Sequence, residues 1–297
     1  MNAEFEEKQY EQQMNIELLC KYDVFGLFAP GQCLENSLGF DVALYSCNEK
    51  FWRFFYKGFK RFLLYYYPYL VDYPYIRPRD VKYLEELMKE YLGYIPEIKF
   101  NLFIQYKRPE YLTRANSSEW KFWNRSYYRY SINPKQQQLL EKLAQNVDRN
   151  SALVIYASPA FHTQQEFWEN VKKRTIVDNS NYCEAVDLSG HRRYTYIKGG
   201  TFGIAFSEPK EIRSLDLEVA VSTLRAESRY DGNISVISNL ANWVENAIKE
   251  SNYGNYYSII IDSERFPAEF KKYKIIYSLT KLSLFMQITG IKILYGF

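Results

Sequence analysis

Histidine is nearly missing: the 297 residues hold only His162 and His191. That argues against two-histidine metal sites and most zinc enzymes. A metal here has to be held by oxygen, which favours magnesium or manganese. Cysteine is scarce too. Cys20, Cys33, Cys47 and Cys183 form no Cys-x-x-Cys pair and no metal-ligand spacing, so they read as reduced, mostly buried thiols of a cytosolic protein. Cys183 has no evident partner base and is not taken as a nucleophile. A long apolar run is also lacking: Phe51 to Leu70 is aromatic but is interrupted by Arg53, Lys57, Lys60 and Arg61, too much charge for a membrane span. Met1 to Tyr10 is acidic and polar, unlike a signal peptide. The expectation is a cytoplasmic protein with no membrane association. Charge of one sign is not in excess: the net charge is +3, so nucleic-acid binding has to rest on local patches. There is no internal repeat and no low-complexity tract. Gly199-Gly200-Thr201-Phe202-Gly203 lacks the Gly-Lys-Ser/Thr ending, which rejects a P-loop.

What is abundant is aromatic. Tyrosine (29) and phenylalanine (20) bring aromatics to 18%. Base-stacking surfaces would explain this, and so would a general preference for Tyr, Lys, Asn and Ile. Hydrophobic residues at 47% and charged residues at 25% are ordinary for a globular chain. The length suits one large domain or two small ones.

Periodicity and turn residues predict helices over Glu4–Lys21, Phe51–Tyr67, Arg79–Tyr91, Pro134–Asn146, Gln164–Lys173, Asn233–Glu250 and Ser263–Thr289. Strands are predicted over Phe40–Ser46, Phe100–Tyr106, Ala152–Ala157 and Ile291–Tyr295. Asn181–Leu188 and His191–Ile197 read as strands paired around Ser189-Gly190. Trp120–Ile132 reads as an aromatic strand or loop. The order up to Ala157 is that of an α/β protein around one mixed sheet.

One strand carries an unusual pair. Phe100–Tyr106 is apolar until Gln105, and Lys107 follows before Pro109 closes the segment. Alternation puts Gln105 and Lys107 on one face. An edge strand protected by lysine is one reading. The other joins the pair to Glu35-x5-Asp41, where Asp41 follows Gly39-Phe40. An aspartate, a glutamine oxygen and an assisting glutamate can hold a hard cation. A nearby lysine can deprotonate water or stabilise developing charge. That set suits phosphodiester hydrolysis.

Gly39-Phe40-Asp41 with Ile104-Gln105-Tyr106-Lys107-Arg108 resembles the PD-(D/E)XK nuclease superfamily. The likeness is greatest to the branch with a Gln-x-Lys motif, as in Mrr-type restriction endonucleases and nuclease domains of phage-defence proteins. The resemblance covers about residues 4–160. It implies a restriction-endonuclease-like αβββαβ core with a mixed central sheet, Mg2+ or Mn2+ between the motif strands, and an endonuclease acting in bacterial antiviral defence, on DNA more than RNA. Asp41 would bind metal, Gln105 would stand at the acidic position and Lys107 would be the catalytic lysine. Glu35 would be the accessory acid and metal ligand, with Glu17 as its rival. Gln136, Gln137 and Gln138 fall where some members carry a helical glutamine. The chain departs from the pattern in three ways: Gln105 lies 64 positions after Asp41, no proline stands immediately before Asp41, and Gln105 is neutral. The expected layout is a core over residues 1–160 with a helical insertion at about 50–97. Residues 161–297 form an α+β extension of that domain or a second one. The alternative function is an inactive binding or scaffold subunit working with protein partners in a defence complex.

Arg108, Arg114, Lys121, Arg125 and Arg129 interleave with Tyr111, Trp120, Trp123, Tyr127, Tyr128 and Tyr130. With Arg192 and Arg193 they are the candidate nucleic-acid contacts. A solvated face over an aromatic core, and hairpin-edge charges, are the competing explanations. His162 reads as structural.

Overall fold

The computed structural model describes residues 1–22, 24–26, 78–228, 231–261 and 271–297. The expected Phe40–Ser46 strand, the Phe51–Tyr67 helix, Glu35 and Asp41 lie outside these residues.

The apolar run Phe100–Tyr106 is strand β2, buried along its whole length. A strand with both faces covered needs partners on both edges, and β2 has them. β1 (Val24–Gly26), β10 (Lys292–Gly296), β2, β5 (Ala152–Pro159) and β6 (Ser180–Glu184) form a five-stranded sheet in that order. β2 and β5 run parallel, with Gln105 opposite Tyr156, and the other pairs are antiparallel. The protein is therefore α/β with a mixed sheet. Residues 292–296 are hydrogen-bonded between β1 and β2, so β10 is an interior strand of this sheet.

Alternation assigns the two faces. Phe100, Leu102, Ile104 and Tyr106 pack against Tyr10, Met14 and Leu18 of helix α1 (Glu7–Tyr22). Phe103 faces the opposite layer, where helix α4 (Pro134–Asn146) contributes Leu139, Leu140 and Leu143. Pro134 starts α4, and the Asn133 side chain accepts from the backbone N–H groups of Lys135 and Gln136, a sequence-readable cap.

Helices α2 (Pro78–Tyr94), α7 (Asn233–Lys249), α8 (Gly254–Ile261) and α9 (Lys274–Thr289) complete that layer. Their ends are tied by side chains from distant segments. Buried Glu85 accepts from the first backbone N–H groups of α9, at Ile275 and Ile276. Asn233 donates to Leu92 O at the end of α2 and accepts from Ile98 N. These bonds satisfy helix-terminal groups that burial would otherwise leave without partners.

A second, antiparallel sheet runs β3 (Glu110–Leu112), β4 (Tyr127–Ser131), β7 (Arg193–Tyr196), β8 (Phe202–Phe206) and β9 (Lys210–Arg213). Tyr128, Tyr130, Tyr194 and Tyr196 face the main core. A Cβ on Gly203 would lie 2.2 Å from the Tyr194 ring, so only glycine lets this tyrosine lie flat across β8. The far face is capped by the short helix α3 (Trp120–Trp123), where Trp123 and Tyr127 pack on Ile204 and Phe206.

The expected pairing of 181–188 with 191–197 is corrected. β6 pairs with β5, whereas β7 pairs with β4 and β8 in the other sheet. Ala185–Leu188 winds into a 3-10 turn that buries Ala185 and Leu188, and the chain changes sheets there. β1, β8, β9, α8 and α6 (Leu217–Glu227) were not anticipated from periodicity. They are short, or take their pattern from partners far along the chain. Among the described residues no helix is long and apolar enough to cross a membrane.

Candidate functional site

The C-terminal end of β2 carries the Gln-x-Lys pair, and the helix N-terminus beside it supplies a third group. Gln136, at the third position of α4, donates through Nε2 to Gln105 Oε1 at 2.6 Å. Its Oε1 accepts from Lys107 Nζ at 2.7 Å. A lysine can only donate, so this bond sets which way the Gln136 amide faces. Gln105 Nε2 donates in turn to Tyr106 O at 3.0 Å. The orientation of Gln105, 5% exposed, is thus fixed from both ends of its amide.

Lys107 Nζ also lies 5.5 Å from the centre of the Tyr156 ring, a cation–π distance. Tyr156 is itself held by its hydroxyl donating to Gln137 Oε1 at 2.8 Å. The strand end is braced by the second sheet. The Tyr196 hydroxyl reaches Ser158 Oγ at 2.7 Å, and Ser158 Oγ donates to Lys107 O at 3.0 Å.

Burial holds the Lys107 ammonium below the ordinary lysine pKa, and the negative charge of Glu7 partly offsets this. Glu7 lies in the first turn of α1 and accepts from Arg108 N at 3.2 Å. Burial raises its carboxyl, opposed by Lys107 and by that backbone bond. The Glu7 carboxylate thus stands at the backbone of Arg108, the residue after Lys107, at the mouth of the strand. Replacing Glu7 by glutamine is expected to lower the Lys107 pKa further, because the charge that favours the ammonium is removed. Titration of the lysine ε-carbon by NMR measures this; an unchanged midpoint would contradict the coupling.

Of the sequence candidates, Gln105 and Lys107 are brought together, and Gln136 joins them. Asp41 and Glu35 lie outside the described residues. Glu17 is committed elsewhere: its two carboxylate oxygens accept from Ile176 N at 2.9 Å and Val177 N at 3.0 Å. Glu7 and Tyr156 were missed. Neither stands near the Gln-x-Lys pair in sequence; the packing of α1 brings Glu7 to Arg108, and the parallel β2–β5 register brings Tyr156 opposite Gln105.

The basic candidates divide into two groups. Arg108 donates to both oxygens of Glu6 at 3.0 and 3.1 Å and to Ala3 O. Arg129 pairs with Glu110 at 2.6 Å and Glu119 at 3.0 Å. Arg193 reaches the other oxygen of Glu119 at 3.0 Å. Burial pushes the Glu119 carboxyl up. Hydrogen bonds from Ser118 and Tyr127, with the two arginines, outweigh that and hold it low. These three arginines are engaged by the chain's own carboxylates. Arg114, Lys121, Arg125 and Arg192 are exposed and make no ion pair among the described residues.

His162 stacks on Tyr111 with ring centres 4.1 Å apart, and its Nδ1 lies 3.3 Å from Glu166 Oε2, a capping residue of α5 (Gln164–Lys173). Cys183 is fully buried and burial pushes its thiol far up, which leaves it unreactive.

Among the described residues no group of three or more His, Cys, Asp or Glu side chains is placed to hold a metal. Gln105 Oε1, fixed by Gln136, is a hard neutral oxygen of the type magnesium and manganese accept. One such oxygen fits a cation site only with carboxylates beside it. No protein-family model matches the chain, and neither a curated protein nor a solved structure does.

Proposed function

We propose that the chain is a divalent-metal-dependent nuclease with a restriction-endonuclease-like core, cleaving phosphodiester bonds, in DNA more than RNA, in a bacterial defence setting. The observation that carries this reading is the Lys107–Gln136–Gln105 relay: a lysine of lowered pKa and an oriented amide oxygen, both at the end of the central parallel strand pair. In support, α1, β1, β2, α4 and β5 follow one another in the sense of an αβββαβ core, with α2 and β3–α3–β4 inserted between them; the expected Phe40–Ser46 strand, outside the described residues, would be the remaining member. Asp41 and Glu35, with Gln105, would hold magnesium or manganese. The cation would polarise the phosphoryl oxygen and acidify a water. Lys107, whose burial favours the neutral amine, would take a proton from that water or, when charged, stabilise the pentavalent phosphorus. Gln136 would keep the lysine and the amide in register.

A second reading is favoured by the neutrality of Gln105: a subunit that binds nucleic acid or a partner protein without cutting. Incubation with supercoiled and linear DNA and with RNA, in Mg2+ or Mn2+ against EDTA, separates the two. The nuclease reading expects metal-dependent products that Asp41→Ala abolishes. Absence of cleavage with either metal, or full cleavage by Asp41→Ala, overturns it.

A further inference from the structure

Net charge over the whole chain hides a strong local asymmetry. The segments 110–131 and 191–213, far apart in sequence, fold together as the second sheet. They hold nine Lys and Arg against four Glu, a net of +5 in a chain of net +3, so the remaining residues sum to −2. Two of the four carboxylates, Glu110 and Glu119, are taken up by Arg129 and Arg193. What remains is seven Lys and Arg against Glu208 and Glu211, the same net of +5. Arg114, Lys121 and Arg125 lie on or beside α3, and Arg213, opposite Phe202, is on the same face; Arg192 and Lys198 flank β7, and Lys210, opposite Ala205, lies on the core-side face of β9. All are exposed, and none is ion-paired among the described residues.

Aromatic surface lies within this charge. Phe122 on α3 is 38% exposed, and its ring packs edge-on against Phe206 with Lys121 Nζ 5.1 Å from its centre. Arg213 sits opposite Phe202, which stacks on Trp123 at 5.4 Å. A partly exposed ring beside cations without ion-pair partners is the chemistry that receives an unpaired base and its phosphate together. A duplex keeps its base faces stacked and would offer only the phosphates.

We infer that the α3-capped face of the second sheet is a docking surface for single-stranded nucleic acid, separate from the Lys107 site. This rests on the nucleic-acid part of the function proposed above, but not on cleavage.

The test is binding of fluorescent oligonucleotides to the whole chain in EDTA, where no cutting occurs. The probes are single-stranded DNA, single-stranded RNA and duplex DNA of equal length, and thermal melting checks each variant's fold. The expected result is tighter binding of single strands than duplex, with DNA and RNA comparable. Combined Arg114→Glu, Lys121→Glu, Arg125→Glu and Arg213→Glu should weaken it at least tenfold. It should also lower the slope of log K against log salt by about 3, at roughly 0.7 per phosphate contact. Lys172→Glu with Lys173→Glu, on α5, should change little. Phe122→Ala should reduce single-strand binding and leave duplex binding unchanged. Equal binding of wild type and the quadruple variant overturns the docking surface. Duplex binding as tight as single-strand binding, or insensitivity to Phe122→Ala, overturns the single-strand assignment. Loss of cleavage in magnesium with this binding intact would count against the Lys107 site alone.

Discussion

Lys107→Met is expected to lower metal-dependent cleavage by about 10²- to 10⁴-fold, the usual contribution of a positioned proton-transfer group, while the protein stays folded. Methionine keeps the length and apolar bulk of the lysine stem against Tyr156 but carries no amine. The stability side follows from linkage. Burial lowers the folded-state pKa of Lys107, so the unfolded chain binds more protons between the two values. Stability from this group then rises with pH through that window, and below it the full cost of burying the ammonium is present. Removing the amine at neutral pH relieves that cost, although Gln136 Oε1 loses its donor. The melting temperature should therefore change little. In the wild type the cleavage rate should climb with pH through the lowered lysine pKa, as the neutral amine becomes populated. Wild-type activity in Lys107→Met would remove the lysine from the chemistry.

Gly296→Ala is expected to destabilise the protein by about 3 kcal/mol, the upper part of the range for overpacked cores, a drop of roughly 6 °C or more in melting temperature for a chain of this size. A Cβ at Gly296 would fall 1.9 to 2.4 Å from three carbons of the Phe100 ring. Phe100 is fully buried and is the cross-strand partner of Gly296, so its ring lies over the glycine and has nowhere to go. Calorimetry or chemical denaturation measures the loss. The double variant with Phe100→Leu should recover part of it, since a smaller side chain makes room, and the cycle should give a coupling energy of clear sign. A Gly296→Ala protein as stable as the wild type would mean that β10 does not pack beside β2 in this register.

Much of the framework was legible in the chain itself. The run Phe100–Tyr106, the helix Pro134–Asn146 with its first-turn proline, and the helix Gln164–Lys173 stand where local pattern puts them. Period-two alternation was enough to place Gln105 and Lys107 on one face. These features depend on contacts within a few residues, which hydrophobic spacing and capping chemistry encode directly. The tertiary structure alone decided the rest. It inserted the last strand between β1 and β2, and it sent β6 and β7 to different sheets. It brought Gln136 and Glu7 to the lysine. Among the arginines, it separated those neutralised by Glu6, Glu110 and Glu119 from those left facing solvent. A charge is paired or free, and a lysine buried or solvated, only by virtue of its neighbours in space, which for Arg108 and Glu6 are 102 residues apart in sequence. Local periodicity carries no record of such neighbours.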